Sequence, residues 1–279
     1  MHFPCLLSIN NKCRQIMFAE VFIGSFHFFI FLAFQSSKPK FRQLYKSFLI
    51  CLFLLFSLQI TLLGQEKEFN DFHQNFVDEM IPKIREVNAE IEAQRDFAIG
   101  IIQKYNQQER ITDEDKLWFT RLLRYYRIDF DTPFDSLIAS PQCKQELLLR
   151  VDVIPEKVAI AQAAIESGWG QSRFAKEGNS YFGIRCGRPG CGIEPNAAKN
   201  QGIYVKSYES VYECVKHYAK FLNAGTYYSD FRKRRQQNRT EGNELDPLFI
   251  AEGLKMYSSK REVYVKHLKT IILYNFSDL

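Results

Sequence analysis

Apolar and polar positions are spread unevenly along the chain. Two apolar stretches come first, at about Phe18–Phe34 and Phe48–Leu63, and each falls short of the roughly 20 residues that a membrane-spanning helix prefers. From Glu66 to Arg110 the chain is polar with helical spacing, and Pro82 is expected to interrupt it. Thr112 can cap a helix whose third position is Asp115. Trp118, Leu122 and Leu123 then recur at helical intervals. Pro133 and Pro141 punctuate short helical pieces, and Pro155 suits the first turn of a helix over Glu156–Ser167.

The pattern changes at Asn179–Tyr204. This stretch is rich in glycine, carries Pro189 and Pro195, and alternates apolar with polar residues, so it reads as loop and short hairpin. Helix returns at Ser210-Val211-Tyr212-Glu213, a capping-box pattern with an apolar face of Val211, Val215, Tyr218 and Leu222. Asp246-Pro247 opens another helix, and Arg261–Tyr274 forms the last. There are no internal repeats. The expected fold is mainly α (α+β): a helical domain with one small β-hairpin lobe. The expected divisions are a leader at 1–64, an N-terminal helical segment at 65–130 and a main domain at 131–279.

Lys38, Lys40, Arg42 and Lys46 precede the second apolar stretch, as in a secretory signal or a short membrane anchor. Residues 48–63 would be that anchor, and the main domain would lie outside the inner membrane, in the periplasm or cell envelope. Residues 1–64 hold six basic residues and one acid. The remainder carries thirty-one of each, so the formal net charge of +5 belongs to the leader and makes no case for nucleic acid. The run Arg232-Lys233-Arg234-Arg235 reads as a solvated helix face, with contact to an anionic wall polymer as the sharper alternative.

His73, His217 and His267 follow the leader, as do Cys143, Cys186, Cys191 and Cys214. No pair has the spacing of a zinc site, and no glycine-rich phosphate loop follows a strand pattern, so neither metal nor cofactor is called for. Nothing local supports a Cys-His nucleophile. Cys186 and Cys191 bracket Gly-Arg-Pro-Gly, a spacer that turns, and an oxidising compartment would join them. Cys143 and Cys214 fall on helices and read as buried thiols, with their mutual pairing as the alternative.

The sharpest chemical signal is Glu166 in AQAAIESGWG, residues 161–170. It stands in the last turn of its helix, just before Gly168, which suits a left-handed cap. Helix ends of this kind carry partial negative charge, and Ala163, Ala164, Ile165 and Trp169 are apolar; both effects favour a protonated carboxyl. Such an acid can donate a proton to a leaving oxygen. The competing reading is a solvent-facing glutamate on an amphipathic helix. Gly168 and Gly170 weigh against it, being costly on a surface helix and useful in a tight turn beside a ligand.

AIAQAAIESGWGQSRFAKEGNSYFGIRC, residues 159–186, resembles the signature of bacterial peptidoglycan glucosaminidases, the group with flagellar and Bax-type members. YESVYECVKHYAKFL (208–222) and LKMYSSKREVYVKHL (254–268) fit that family's later helices, and the resemblance runs from about Asp131 to Leu279. The Cys-Gly-Arg-Pro-Gly-Cys insertion and Tyr-Ser-Ser resemble the Bax-like branch. The resemblance implies a lysozyme-like fold, hydrolysis of β-1,4 bonds in peptidoglycan, and Glu166 as general acid. Asn179, Phe182 and Gly183 match a motif that shapes the cleft floor, and Tyr257 matches a tyrosine near the substrate. The acid that usually follows that tyrosine is absent, and Lys260 stands in the region.

A second carboxylate, roughly 5 to 9.5 Å from the first, completes most glycosidases. Glu194 is the one acid of the short β lobe. Attack by the sugar's own acetamido group is the alternative, and Glu209 sits inside a capping region. Among Trp169, Tyr181, Phe182, Tyr204 and Tyr208, two or three rings should face the cleft and stack on sugar. Glycan strands are the implied partner, with the inner membrane touched only through the leader. The competing functions are a lytic transglycosylase of the same fold and a noncatalytic wall-binding protein. Transglycosylases continue with a Gly-Leu-Met-Gln-like stretch where this chain has Tyr-Phe-Gly-Ile.

Overall fold

A computed structural model describes residues 39–128, 132–276 and 279. The apolar stretch Phe18–Phe34 lies outside these residues. The chain forms two compact units, Met1–Asp71 and Phe72–Leu279. In the first unit helix α1 begins, running from Pro39 to Asn106, with Ile50, Phe53, Leu54 and Leu55 exposed. No helix among the described residues is long and apolar enough to cross a membrane, so anchoring by residues 48–63 is not supported.

The expected interruption at Pro82 does not occur, because α1 continues straight through it. A proline inside a helix removes one hydrogen bond and costs about 3 kcal/mol. Met80, Ile81, Ile84, Val87 and Ile91 flank it and are all buried. Each such side chain contributes about 1.5–3 kcal/mol when removed from water, so packing outweighs the proline. From Phe72 onward the expected N-terminal segment therefore belongs to the same unit as residues 131–279.

After α1 come α2 (Asp113–Tyr125), α3 (Phe134–Ala139), α4 (Pro141–Arg150) and α5 (Glu156–Ser167). The box at Thr112 is complete. Its hydroxyl accepts from the Asp115 amide at 3.1 Å, and the Asp115 carboxylate accepts from the Thr112 amide at 3.2 Å. Helix α5 is buried on nearly every side from Val158 to Ala164, which makes it the central element. Helix α6 (Arg173–Gly178) leads into the β lobe, and α7 (Val211–Ala224) follows it, with Val215, Tyr218 and Leu222 buried as their spacing predicts. Helices α8 (Ser229–Thr240), α9 (Pro247–Ala251) and α10 (Glu262–Asn275) complete the unit, and α10 packs on α5.

The β lobe is a three-stranded antiparallel sheet where a hairpin was expected. Strands β1 (Arg185–Cys186) and β2 (Gly192–Ile193) both pair with β3 (Tyr204–Lys206), which lies between them. Val205 sits opposite Arg185 on one side and Ile193 on the other. A disulfide joins Cys186 to Cys191 with the Cα atoms 6.4 Å apart, closing covalently a loop whose strands do not pair with each other. Cys214 is a buried thiol, and Cys143 is partly buried.

The basic run on α8 is not a solvated face. Arg232 is buried and donates to the carbonyls of Leu222 and Gly225 at 2.9 and 2.7 Å. Arg235 is wholly buried and donates to the carbonyls of Asp152, Val153 and Leu149 and to the Asn223 side chain. A guanidinium has five donors and few interior places to satisfy them. Here the unpaired carbonyls at the ends of neighbouring elements take up two of the run's four cations.

Candidate active site

Glu166 ends the central helix. Gly168 caps α5 in the left-handed conformation (φ 57°, ψ 51°), and Trp169 and Gly170 keep positive φ as well. The Trp169 amide donates to the Ala164 carbonyl at 2.8 Å, and the Gly170 amide to the Ser167 hydroxyl at 2.7 Å. A left-handed tryptophan is strained by about 1–2 kcal/mol. Its indole is held by rings: it stacks on His73 at 3.8 Å and 18°, meets Phe76 edge-on, and lies 5.6 Å from Phe276. The turn thus locks the end of α5 and with it the Glu166 carboxyl.

The backbone of Gly183 lies beside that carboxyl. It is exposed, has φ +61°, and a Cβ built on it would lie 3.1 Å from Glu166 Oε2. Glu166 is half-buried, with the exposed Gly183 beside its carboxyl. Phe182, just before it, is 1% exposed and stacks on Tyr218 at 3.8 Å and 8°. Tyr257 donates to the Phe182 carbonyl at 2.7 Å, and so pins the backbone that carries Gly183. Its ring stacks on Tyr264 at 5.7 Å and 11° and lies 6.0 Å from Tyr228. Tyr264 is also near enough to favour the ionised form of Glu166.

Burial pushes the Glu166 pKa above the ordinary glutamate value, and the weaker hydrogen bond from Tyr264 opposes part of that rise. Burial, then the Glu166 charge, holds the Tyr264 phenol well above its ordinary range. Burial does the same for Tyr257 and, with the Glu166 charge, pushes Tyr228 up to about 12. These phenols stay protonated at neutral pH, and burial shifts Glu166 toward its protonated form.

The remaining expected residues lie elsewhere on this framework. Asn179 caps α6 in the left-handed conformation and donates from Nδ2 to the Tyr208 carbonyl at 3.0 Å. The Tyr208 hydroxyl meets His217 Nδ1 at 2.8 Å. Tyr204 is half-buried on β3, opposite Cys186. Tyr181 is buried, and its hydroxyl donates to the Glu79 carboxylate at 3.3 Å. The Glu194 carboxylate accepts from the Asn200 amide of its own loop at 2.6 Å, while its carbonyl accepts from Arg173 at 2.7 Å. The structure therefore brings Glu166, Phe182, Gly183 and Tyr257 into one cluster. Asn179 and Tyr208 form a second, and Glu194 a third. Among the described residues no group of three or more His, Cys, Asp or Glu side chains is arranged to hold a metal ion.

Sequence reading missed Gln162, Tyr218 and Tyr264. Gln162 is fully buried; its Nε2 donates to the Tyr264 hydroxyl at 2.8 Å, and its Oε1 accepts from the Tyr218 hydroxyl at 2.7 Å. The signal was available: Gln162 precedes Glu166 by four residues, one helical turn, and is a polar residue in an apolar run.

The family model for mannosyl-glycoprotein endo-beta-N-acetylglucosaminidase matches residues 142–275, a span that holds Glu166, Gly183, Tyr257 and Tyr264. The chain belongs to the glucosaminidase family. Over 198 residues it is 30% identical to Protein bax of Escherichia coli (strain K12), a match covering 69% of this chain and 66% of that relative, just under two thirds. No solved structure matches the chain significantly. The match to a glucosaminidase domain supports a glycosidase acting on a glycan.

Proposed function

We propose that the chain hydrolyses β-1,4 bonds of peptidoglycan on the N-acetylglucosamine side, with Glu166 as general acid. One observation carries this reading: within the glucosaminidase domain, Glu166 is a half-buried acid whose burial raises its pKa, with the exposed Gly183 beside its carboxyl. A carboxyl still protonated near neutral pH can transfer its proton to the departing glycosidic oxygen. Gly183 lets the sugar approach where any side chain would intervene, and Phe182 and Tyr257 hold that backbone still. Trp169, Asn179, Tyr204 and Tyr208 are proposed to bound the substrate groove around it.

For the second half of the reaction, the acetamido group of the sugar attacks its own anomeric carbon as the leaving oxygen takes the Glu166 proton, and water then opens the resulting ring. Two observations favour this route over a protein nucleophile. The influences felt at Glu166 are burial and Tyr264, and the Glu194 carboxylate is engaged within its own loop. Glu194→Gln reads the alternative directly, since a large loss of turnover with retained binding would assign the second role to Glu194.

Glu166→Gln is expected to lower wall hydrolysis by roughly 100- to 10,000-fold with folding intact. Near-normal activity in the folded variant would remove Glu166 from the mechanism. Mass spectrometry of digested peptidoglycan after borohydride reduction identifies the bond. Reduced N-acetylglucosamine ends are expected; reduced N-acetylmuramic acid would mean a muramidase, and anhydro ends a lytic transglycosylase.

The same reading places the domain outside the inner membrane, in the periplasm or cell envelope, directed there by residues 46–64. The disulfide and the wall-type domain support it. A reporter enzyme that works only outside the cytoplasm, fused after Gln65, should be active, and an inactive but intact fusion would overturn the localisation.

A further inference from the structure

We infer that α1 is part of the catalytic apparatus, although it lies outside residues 142–275, the span that the family model matches. Its side chains His73, Phe76 and Glu79 are positioning residues that clamp together the two segments carrying Glu166 and Gly183. The inference rests on the reading of Glu166 as the general acid.

The three residues recur at every third position and so share one side of the helix. His73 lies flat on the Trp169 indole, with the ring centroids 3.8 Å apart and the planes 18° apart. Phe76 is buried and serves both segments. It meets Trp169 edge-on at 5.5 Å and lies 6.3 Å from the Tyr181 ring. A Cβ built on Gly170 would stand 3.5 Å from Phe76 Cδ2 and 3.5 Å from Tyr181 Cε1, so turn, phenylalanine and tyrosine pack closely there. Further along α1, the Glu79 carboxylate accepts from the Tyr181 hydroxyl at 3.3 Å.

Each of these contacts falls next to the site. Trp169 follows Glu166 by three residues, and its turn is bonded to the end of α5. The Trp169 amide donates to the Ala164 carbonyl at 2.8 Å, and the Ser172 amide to the Ser167 carbonyl at 2.9 Å. Tyr181 precedes Gly183 by two residues, and a Cβ on Gly183 would lie 3.1 Å from Glu166 Oε2. Helix α1 therefore grips one segment just after the acid and the other just before the glycine beside it. Trp169 has a φ of 57°. A bulky side chain keeps that conformation only where its surroundings over-determine it. The rings of His73, Phe76 and Phe276 supply that constraint, and two of the three come from α1. A catalytic group displaced by about 1 Å loses roughly 100-fold in rate, so the clamp acts on turnover through the placement of Glu166.

Trp118 is the other of the chain's two tryptophans, so Trp118→Phe leaves Trp169 as the sole indole reporter. In that background His73→Ala removes the stacked ring, and His73→Phe restores a flat one. Phe76→Leu keeps apolar bulk and removes the edge-on ring. In His73→Ala and Phe76→Leu the Trp169 emission is expected to move to the red and its anisotropy to fall. On soluble glycan fragments kcat should fall roughly tenfold or more, with KM little changed. His73→Phe should recover most of the emission and most of kcat. Circular dichroism and a urea midpoint establish that each variant is folded. His73 is half-buried, so His73→Ala reads the clamp even where Phe76→Leu does not fold. Folded variants with a freed Trp169 and unchanged kcat would overturn the clamp. So would a loss of kcat that leaves the Trp169 signal where it was, or one that His73→Phe does not restore. A Glu166→Gln variant that stays active, beside emission and kcat that fall and recover as expected, would leave the clamp standing and defeat the general-acid reading instead.

Discussion

Gly183 brings its backbone close against Glu166 at a single position. Its φ of +61° lies in the region that L side chains avoid, and an added Cβ would stand 3.1 Å from Glu166 Oε2. Gly183→Ala therefore has two effects. The backbone conformation costs about 1–2 kcal/mol, and the methyl group crowds the Glu166 carboxyl. We expect turnover of the folded variant to fall far more than its unfolding midpoint does. A compensating move by the carboxylate would show up as near-normal turnover and would mean that the Gly183 side is not the path of the substrate. Gly168 makes the contrast. It has the same positive φ, but a Cβ there meets nothing within 4 Å, so its glycine is needed for the turn alone.

Elements were legible where the chain carries its own local chemistry. Thr112 and Asp115 form their reciprocal cap, Ser210 accepts from the Glu213 amide, and Gly168 ends α5. In each case a side chain or a missing side chain satisfies a backbone need a few residues away. What stayed hidden depends on partners distant in the chain. Pro82 does not stop α1, because the residues around it bury against other elements. Arg232 and Arg235 are interior, because carbonyls from Leu149, Asp152, Val153, Leu222 and Gly225 converge on them. The third strand forms because β1 and β2 both reach β3. The site divides in the same way. Glu166 and Gly183 could be named from one motif, whereas the partnership of Gln162 with Tyr264 spans 102 residues and has no local mark.

Across the whole second unit, the start of α5 is set by one buried acid. Asp152 stands just before Pro155, where α5 begins, and is almost wholly buried. Arg239 on α8 grips its carboxylate with two bonds, at 2.7 and 2.5 Å; Arg235 lies 3.4 Å away, and Arg95 on α1 lies 3.7 Å away. Its carbonyl accepts from Asn223 on α7 and from Arg235. Four separate segments thus meet at the residue that fixes where α5 enters the core, and Glu166 lies at the other end of that helix. Burial alone would raise the Asp152 pKa, but Arg235, Arg239 and Arg95 outweigh it and hold the carboxyl below its ordinary 3.8. A carboxyl depressed on folding contributes stability above its unfolded pKa and loses that contribution as pH falls through the folded value. Asp152→Asn keeps the shape and leaves the guanidinium groups facing each other without their counter-charge. Removing one partner from a buried ion pair costs about 3–5 kcal/mol, at the lower end here because Arg239 is one-third exposed. Urea unfolding at pH 7 should show the full loss. At a strongly acid pH, below the depressed native value of Asp152, the gap between the two proteins should narrow. An equal gap at both pH values would mean that Asp152 acts through shape and hydrogen bonding, and that its charge does not hold the four segments together.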